Sequence, residues 1–349
     1  MDREPMDSKT VDSKTVDSKT VGNGTTGNGN AGGNTRGGSP GEDQTLPDDE
    51  AVMDCRPGED ARFENLLGRE PSPRFLSAIG ASSGEEFPPI DLGEAALAAC
   101  LMIHPDLDVD AYLARLDAMA TVLSTRMEGC SASEKITILN DYLFRELEFE
   151  GDSHTYEDPA NNYLSEVLDR RLGVPITLSI LYLEVARRVG IDAEGISFPA
   201  HFLVRVEVGS TLLVVDPFHD GISLSPTQLA ERLAQILGTE EIPVSAVNRW
   251  LEAADEQTIL LRMLRNLKVH YIQSKQPAMA LTVINHMLAL SQRLPVEHRD
   301  RGILFQQADY FKGALQEFIH YLDITPTASD AYQIRSRVAV LERTLSRLN

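Results

Sequence analysis

Cysteine is scarce in this 349-residue chain: three residues, Cys55, Cys100 and Cys130, at no recurring spacing. Three unpatterned thiols exclude a disulfide-stapled secreted scaffold and a zinc ribbon. Basic residues are short too, with 32 Lys and Arg against 53 Asp and Glu and a formal net charge of −21. Nucleic-acid binding needs a basic face to neutralise phosphate, so no nucleic-acid partner is expected. No apolar run approaches the ~20 residues of a membrane span, so no membrane partner is expected either. The opening MDREPMDSKT lacks the apolar stretch of a secretory signal. Eight histidines are scattered, with no HExxH and no Cys pair at ligand spacing, and no glycine-rich phosphate loop follows a strand. Neither a metal nor a cofactor is therefore expected. What remains is an acidic protein expected in the cytoplasm, and its 42% apolar content is ample for a core without disulfides.

The length predicts two domains and a tail, and the composition places the tail first. Residues 1–60 hold 13 Asp and Glu against six Lys and Arg, and nine of the 24 glycines fall within 21–41. A DSKT iteration opens the stretch. So little apolar surface cannot offset ~1–2 kcal/mol of backbone ordering per residue, so disorder is expected over 1–60. An acidic interaction or phospho-acceptor tail and an inert solvating tail both fit. Residues 61–91, with a few apolar anchors between Pro and Gly, read as a linker that partly packs on the fold.

From Leu92 the spacing turns helical, over 92–103, 109–127 and 131–149. The third segment opens on Ser131-Ala-Ser-Glu134, a capping box. A fourth helix is expected over Asn161–Arg171. Val174–Val189 is apolar nearly all round for ten residues, which marks a buried central helix. Pro175 suits its first turn and Gly190 its left-handed end. Strands follow: GISF (195–198), HFLVRVEV (201–208) and TLLVVD (211–216). The two-residue link Gly209-Ser210 reads as a type II′ hairpin turn, which sets Val208 opposite Thr211. That register puts Phe202, Val204, Val206, Leu213 and Val215 on one face, and His201, Leu203, Arg205, Val214 and Asp216 on the other. His201 and Asp216 become diagonal neighbours, ~7–8 Å apart at Cα and within side-chain reach. Ser225-Pro226-Thr227-Gln228 then caps another helix that ends near Gly238.

The rest reads as helix with an internal repeat. Ala280, Leu281, Ile284 and Leu288 recur 34 residues later as Ala314, Leu315, Phe318 and Leu322. The second copy, 301–326, resembles a tetratricopeptide repeat, with Gly302, Ala314, Phe318 and Pro326 at its small, packing and stop positions. The upstream copy is looser and lacks the glycine. A peptide-binding groove and a helical layer that merely completes the core are both open readings.

A buried helix whose start could be catalytic, a strand opening on His and a hairpin partner ending in Asp together form the layout of a Cys-His-Asp acyl-transfer site. There a thiol at a helix N-terminus has a lowered pKa, the histidine takes its proton, and the carboxylate fixes the imidazole tautomer. The motifs NNYL (161–164), RLGVPITL (171–178), PAHF (199–202) and DPF (216–218) resemble the SirB-type branch of the transglutaminase-like superfamily, over roughly 92–349. The resemblance implies an α+β, papain/transglutaminase-like core: a central buried helix on a small antiparallel sheet, with extra N-terminal helices. An all-α, tetratricopeptide-like layer follows. The expected organisation is thus a tail (1–60), a linker (61–91), the core (92–245) and the helical domain (246–349).

Carried over residue by residue, the resemblance makes His201 the family histidine and Asp216 its acid. The slot of the nucleophilic cysteine, in Gly173-Val174-Pro175, holds Pro175, as is common in that branch. Asn161, Asn162, Pro175 and Thr177 are the residues it places along the cleft. Thr177 and Ser179 are candidate replacement nucleophiles, although buried helical hydroxyls more often bond the i−4 carbonyl. Cys130 precedes a capped helix and reads as an ordinary exposed thiol; Cys100 reads as core. His201 bonded to Asp216 is equally readable as a satisfied polar pair. The expectation is a non-catalytic transglutaminase-like protein, an interaction or regulatory module that meets a protein or peptide through its helical repeat. The alternative is a cryptic hydrolase or acyltransferase using His201 and Asp216 with an unrecognised nucleophile or an activated water.

Overall fold

The computed structural model describes residues 67–81, 89–209 and 211–348; the acidic stretch 1–60 and Ser210 of the hairpin turn lie outside them. Pro73–Ala78 (α1) starts on Ser72, whose hydroxyl accepts the Phe75 N–H. Leu92–Ala99 (α2) and Val109–Arg126 (α3) are capped by Asp91 and Asp108. Ala132–Asn140 (α4) carries the expected capping box between Ser131 and Glu134. The expected helix through Phe149 changes character here: Asp141–Glu146 winds as a π-helical turn. Its i→i+5 spacing swings Asn140 and Phe144 onto the loop around Gly221.

A two-residue parallel pair joins Glu150–Gly151 (β1) to Leu172–Gly173 (β2), with Leu164–Arg170 (α5) between them. Pro175–Arg188 (α6) is the central helix, buried without a break from Pro175 to Ala186. Gly190 beyond its end takes the left-handed conformation with φ +70°. Four antiparallel strands follow in sequence order: Ala193–Ile196 (β3), Leu203–Val208 (β4), Thr211–Asp216 (β5) and Ile222–Leu224 (β6). Val208 pairs with Thr211 and Val204 with Val215, the register set by the two-residue link. The sheet is covered on both faces. Phe202, Val204, Val206 and Val215 join the main core with α6, while Ile196, Leu203, Val214 and Leu224 pack beneath Pro226–Leu237 (α7) and Val244–Val247 (α8).

The C-terminal part is helical, as expected: Glu256–Gln273 (α9), Pro277–Leu290 (α10), Pro295–Gln307 (α11), Phe311–Ile324 (α12) and Ala331–Leu348 (α13). In the α11–α12 unit a Cβ on Gly302 would sit 2.6 Å from the Phe318 ring, so only glycine admits this approach. The equivalent position in the upstream copy is Lys268. Its ammonium is buried and bonds Glu297 at 2.6 Å and Asp300 at 2.8 Å, both on α11. The looser sequence match thus reflects an ion pair where the second copy has close apolar packing. The stretch around α1 packs on the repeat: the Arg69 N–H donates to Thr282 Oγ1 at 2.8 Å, and Phe75, fully buried, meets the His286 ring edge-on at 4.8 Å.

Candidate functional site

The chain reverses just before β4. Ala200 adopts a left-handed φ of 53°, and the His201 N–H closes a turn on the Phe198 carbonyl at 3.0 Å. His201 therefore precedes the strand, which begins two residues later than the alternating pattern suggests. Asp216 ends β5, and its carboxylate caps a 3₁₀ turn over Pro217–His219 by accepting the Phe218 N–H at 3.2 Å. The loop after that turn is pinned from the π-helical turn. Asn140 Nδ2 donates to the Gly221 carbonyl at 2.8 Å, and Gly221, at φ +69°, lies where a Cβ would strike the Phe144 ring.

His201 and Asp216 meet as the register requires, with Nε2 2.9 Å from Oδ1. Asp216 is fully buried and accepts more than this one bond. His219 Nδ1 lies 2.8 Å and Arg232 Nη1 2.6 Å from Oδ2. Burial alone would raise this carboxyl's pKa. The hydrogen bond and charge of His201, the hydrogen bond from Arg232 and the charge of His219 outweigh burial and hold it well below the usual carboxylate range. The Phe218 ring meets both imidazoles edge-on, 6.0 Å from His201 and 5.1 Å from His219.

Pro175 occupies the first position of α6 and is buried. Thr177 is fully buried; its hydroxyl lies 2.7 Å from the Asn161 carbonyl and accepts the Val174 N–H at 3.2 Å. Asn161 donates through Nδ2 to Asp152 at 3.0 Å and to the Thr155 carbonyl at 2.9 Å. Asn162, also buried, accepts from Asn266 of α9 at 3.0 Å. The structure therefore gathers Asn161, Pro175 and Thr177 at the helix start, with the Thr177 hydroxyl on the Asn161 carbonyl and the buried Asn161 Oδ1 without a hydrogen-bond partner. Among the described residues, no hydrogen bond joins this group to His201 or Asp216. Ser179 is fully buried and its hydroxyl has no hydrogen-bond partner, not even the i−4 carbonyl. Cys100 is buried with Sγ 3.4 Å from the Ala96 carbonyl, and Cys130 is half-buried beside the Arg126 carbonyl.

Two residues of the cluster escaped the sequence reading. His219 lies beside Asp220 in a loop, ordinarily a solvated place; its one signal is the spacing D-P-F-H, which a 3₁₀ turn folds back onto the aspartate. Arg232 gave no local signal, because only the packing of α7 on the sheet brings it to Asp216. The ligand atoms of His201, Asp216 and His219 lie within 4.8 Å of one another, near enough for a cation. In this structure the Asp216 carboxylate also meets the Phe218 N–H and Arg232 Nη1.

Comparison with known proteins agrees with this architecture. Residues 110–265 match the transglutaminase-like superfamily model and 267–339 a tetratricopeptide repeat model. The chain is 37% identical over 239 residues to a UPF0162 protein of Xylella fastidiosa (strain Temecula1), covering 68% of this chain and 85% of that one. A UPF0162 protein of Vibrio cholerae serotype O1 is 27% identical over 263 residues, covering 74% and 94%. F-box only protein 21 of Mus musculus is 40% identical over 86 residues, 25% of this chain and 14% of that protein. No solved structure matches. The chain, a transglutaminase-like core continued by tetratricopeptide helices, thus belongs to the UPF0162 protein family.

Proposed function

We propose that the protein is a non-catalytic transglutaminase-like module of the SirB type, acting in the cytoplasm on a protein or peptide partner met through its tetratricopeptide helices. The observation that carries this reading is Pro175 at the start of α6. A cysteine there would take the helix dipole and act as nucleophile; proline has no nucleophilic atom. The nearby alcohols do not replace it. The Thr177 hydroxyl is spent on the Asn161 carbonyl and the Val174 N–H. Ser179 lies fully buried one turn into the helix. Among the described residues, no serine, threonine or cysteine is hydrogen-bonded to His201. The retained His201–Asp216 pair serves to order the loop and sheet end and to present polar groups. The absence of an apolar membrane-spanning helix among the described residues is compatible with the cytoplasmic setting.

The test compares the wild-type chain with His201→Ala for hydrolysis of an activated ester, hydrolysis of a peptide amide and transfer from a glutamine peptide, alongside thermal melting. The expected outcome is no turnover above buffer in either protein and a lowered melting temperature in the variant. Turnover by the wild type that disappears in His201→Ala would replace this reading with the hydrolase or acyltransferase alternative.

A further inference from the structure

β3 lies at the edge of its sheet, paired with β4 on one side only. Its other side meets the chain once: the Ala254 N–H donates to the Gly195 carbonyl at 2.8 Å, and Asp255 then caps α9 and turns the chain away. Backbone groups of alternate residues in an antiparallel strand point to the same side. Ala193, two residues before Gly195, therefore turns its N–H and C=O to the open edge, and neither has a hydrogen-bond partner among the described residues. Where a residue opposite Ala193 would continue the pairing there is instead a cavity of about 1050 Å³, with Leu92 of α2, Leu183 of α6, Ile191 and Ile259 of α9 among its apolar walls.

The charge of the rim selects the occupant. Seven lining residues are Asp or Glu, and Arg187 alone among them is basic. Three of the seven are already paired: Glu94 with Arg74, Glu184 with Arg187 and Arg188, and Glu194 with Arg205. Asp91, Asp192, Asp255 and Glu256 form no ion pair among the described residues, and Arg187 is spent on Glu184 at 2.9 Å. The stretch 82–88, which precedes the lining residue Pro89, adds two glutamates and no Lys or Arg to the local sequence. An aliphatic stem against apolar walls with a cationic head among carboxylates is the form of a lysine or arginine side chain. An open strand edge takes an extended backbone.

We propose that this cavity docks an extended basic peptide of a partner protein, whose backbone pairs with Ala193 at the β3 edge and whose Arg or Lys side chain lies among Asp192, Glu256 and their neighbours. Main-chain pairing supplies affinity, and the acidic rim supplies the choice of sequence. The site lies at the opposite end of α6 from Pro175 and stands whether or not the core turns over a substrate.

The experiment titrates the full-length chain by calorimetry with a capped pentapeptide of alternating alanine and arginine, at about 0.15 M salt so that distant charges are screened. Saturable one-to-one binding is expected. Citrulline in place of arginine keeps the shape, removes the charge and should weaken binding about tenfold or more. Methylation of the peptide's backbone nitrogens should weaken it as well, by blocking strand pairing. Asp192→Asn and Glu256→Gln, at exposed positions, should each cost about threefold in affinity with little change in melting temperature. Asp106→Asn, an equal change of charge at an exposed residue outside the cavity, should cost nothing. Ala193→Pro removes the outward N–H and should weaken binding too; the two carboxylate variants carry the test should it unfold. The absence of saturable binding overturns the proposal, as does an affinity indifferent to citrulline or to both carboxylate variants. An equal loss in Asp106→Asn also overturns it, because attraction to the net charge of the chain would then suffice. Spermine that binds as tightly and displaces the peptide would overturn it in favour of a free polyamine.

Discussion

Pro175 and Asp216 decide what single residues can do here. Position 175 begins a buried helix, where partial positive charge from unpaired N–H groups lowers the pKa of any thiol placed there. If only the nucleophile has been lost, Pro175→Cys should yield a thiol alkylated by iodoacetamide roughly tenfold faster than Cys130 at neutral pH, a modest effect for a lowered thiol pKa. That advantage should vanish when His201→Ala is added. An introduced thiol that reacts no faster than Cys130, or is indifferent to His201, would show that the helix start and the histidine are not aligned. Asp216 gives a pH signature. Its folded pKa is depressed, so its stabilising contribution is complete above the unfolded value of about 3.9 and is lost as pH falls through the folded one. Asp216→Asn should cost about 2 kcal/mol at neutral pH, because Arg232 and the two imidazoles lose a charged acceptor. The gap between variant and wild type should narrow in urea melts as pH drops below ~3.9.

At the scale of elements, legibility followed how local the determinant was. The hairpin register followed from a two-residue link, and with it the meeting of His201 and Asp216. The central helix announced itself by being apolar on every side, and the Ser131 and Ser225 capping boxes by residue type. The π-helical turn at 141–146 was not legible, because its apolar spacing differs from α-helix by one residue over a single turn. Nor was the full company of Asp216, since α7 reaches it only through packing on the sheet. In the repeat, Gly302 matches a small position of the repeat pattern, and the structure puts the Phe318 ring there. Gly302→Val should therefore overpack the α11–α12 unit and cost about 1–3 kcal/mol. A chemical melt unchanged by this substitution would mean the helices can part without loss.

For the molecule as a whole, the boundary between core and repeat that the sequence suggests near residue 245 precedes α9, within which the two family matches meet at 265–267. It is not a break in packing. One hydrophobic cluster runs from Phe75 through the central helix to Leu341, with Ile259, Leu260 and Leu264 of α9 in the same core as Leu181 and Val185 of α6. Calorimetry should accordingly show one cooperative unfolding transition for residues 67–348, and hydrogen exchange should show α6 and α10 opening at similar free energy. Two separated transitions would mean that the repeat folds on its own. The central claim is the proposal that the core domain presents surface rather than turns over substrate. It is tested most directly by incubating the full-length wild type and His201→Ala with a panel of electrophilic acyl-enzyme probes and reading intact mass. The account predicts no adduct whose formation depends on His201. A stoichiometric adduct at one residue in the wild type, absent from His201→Ala, would contradict it.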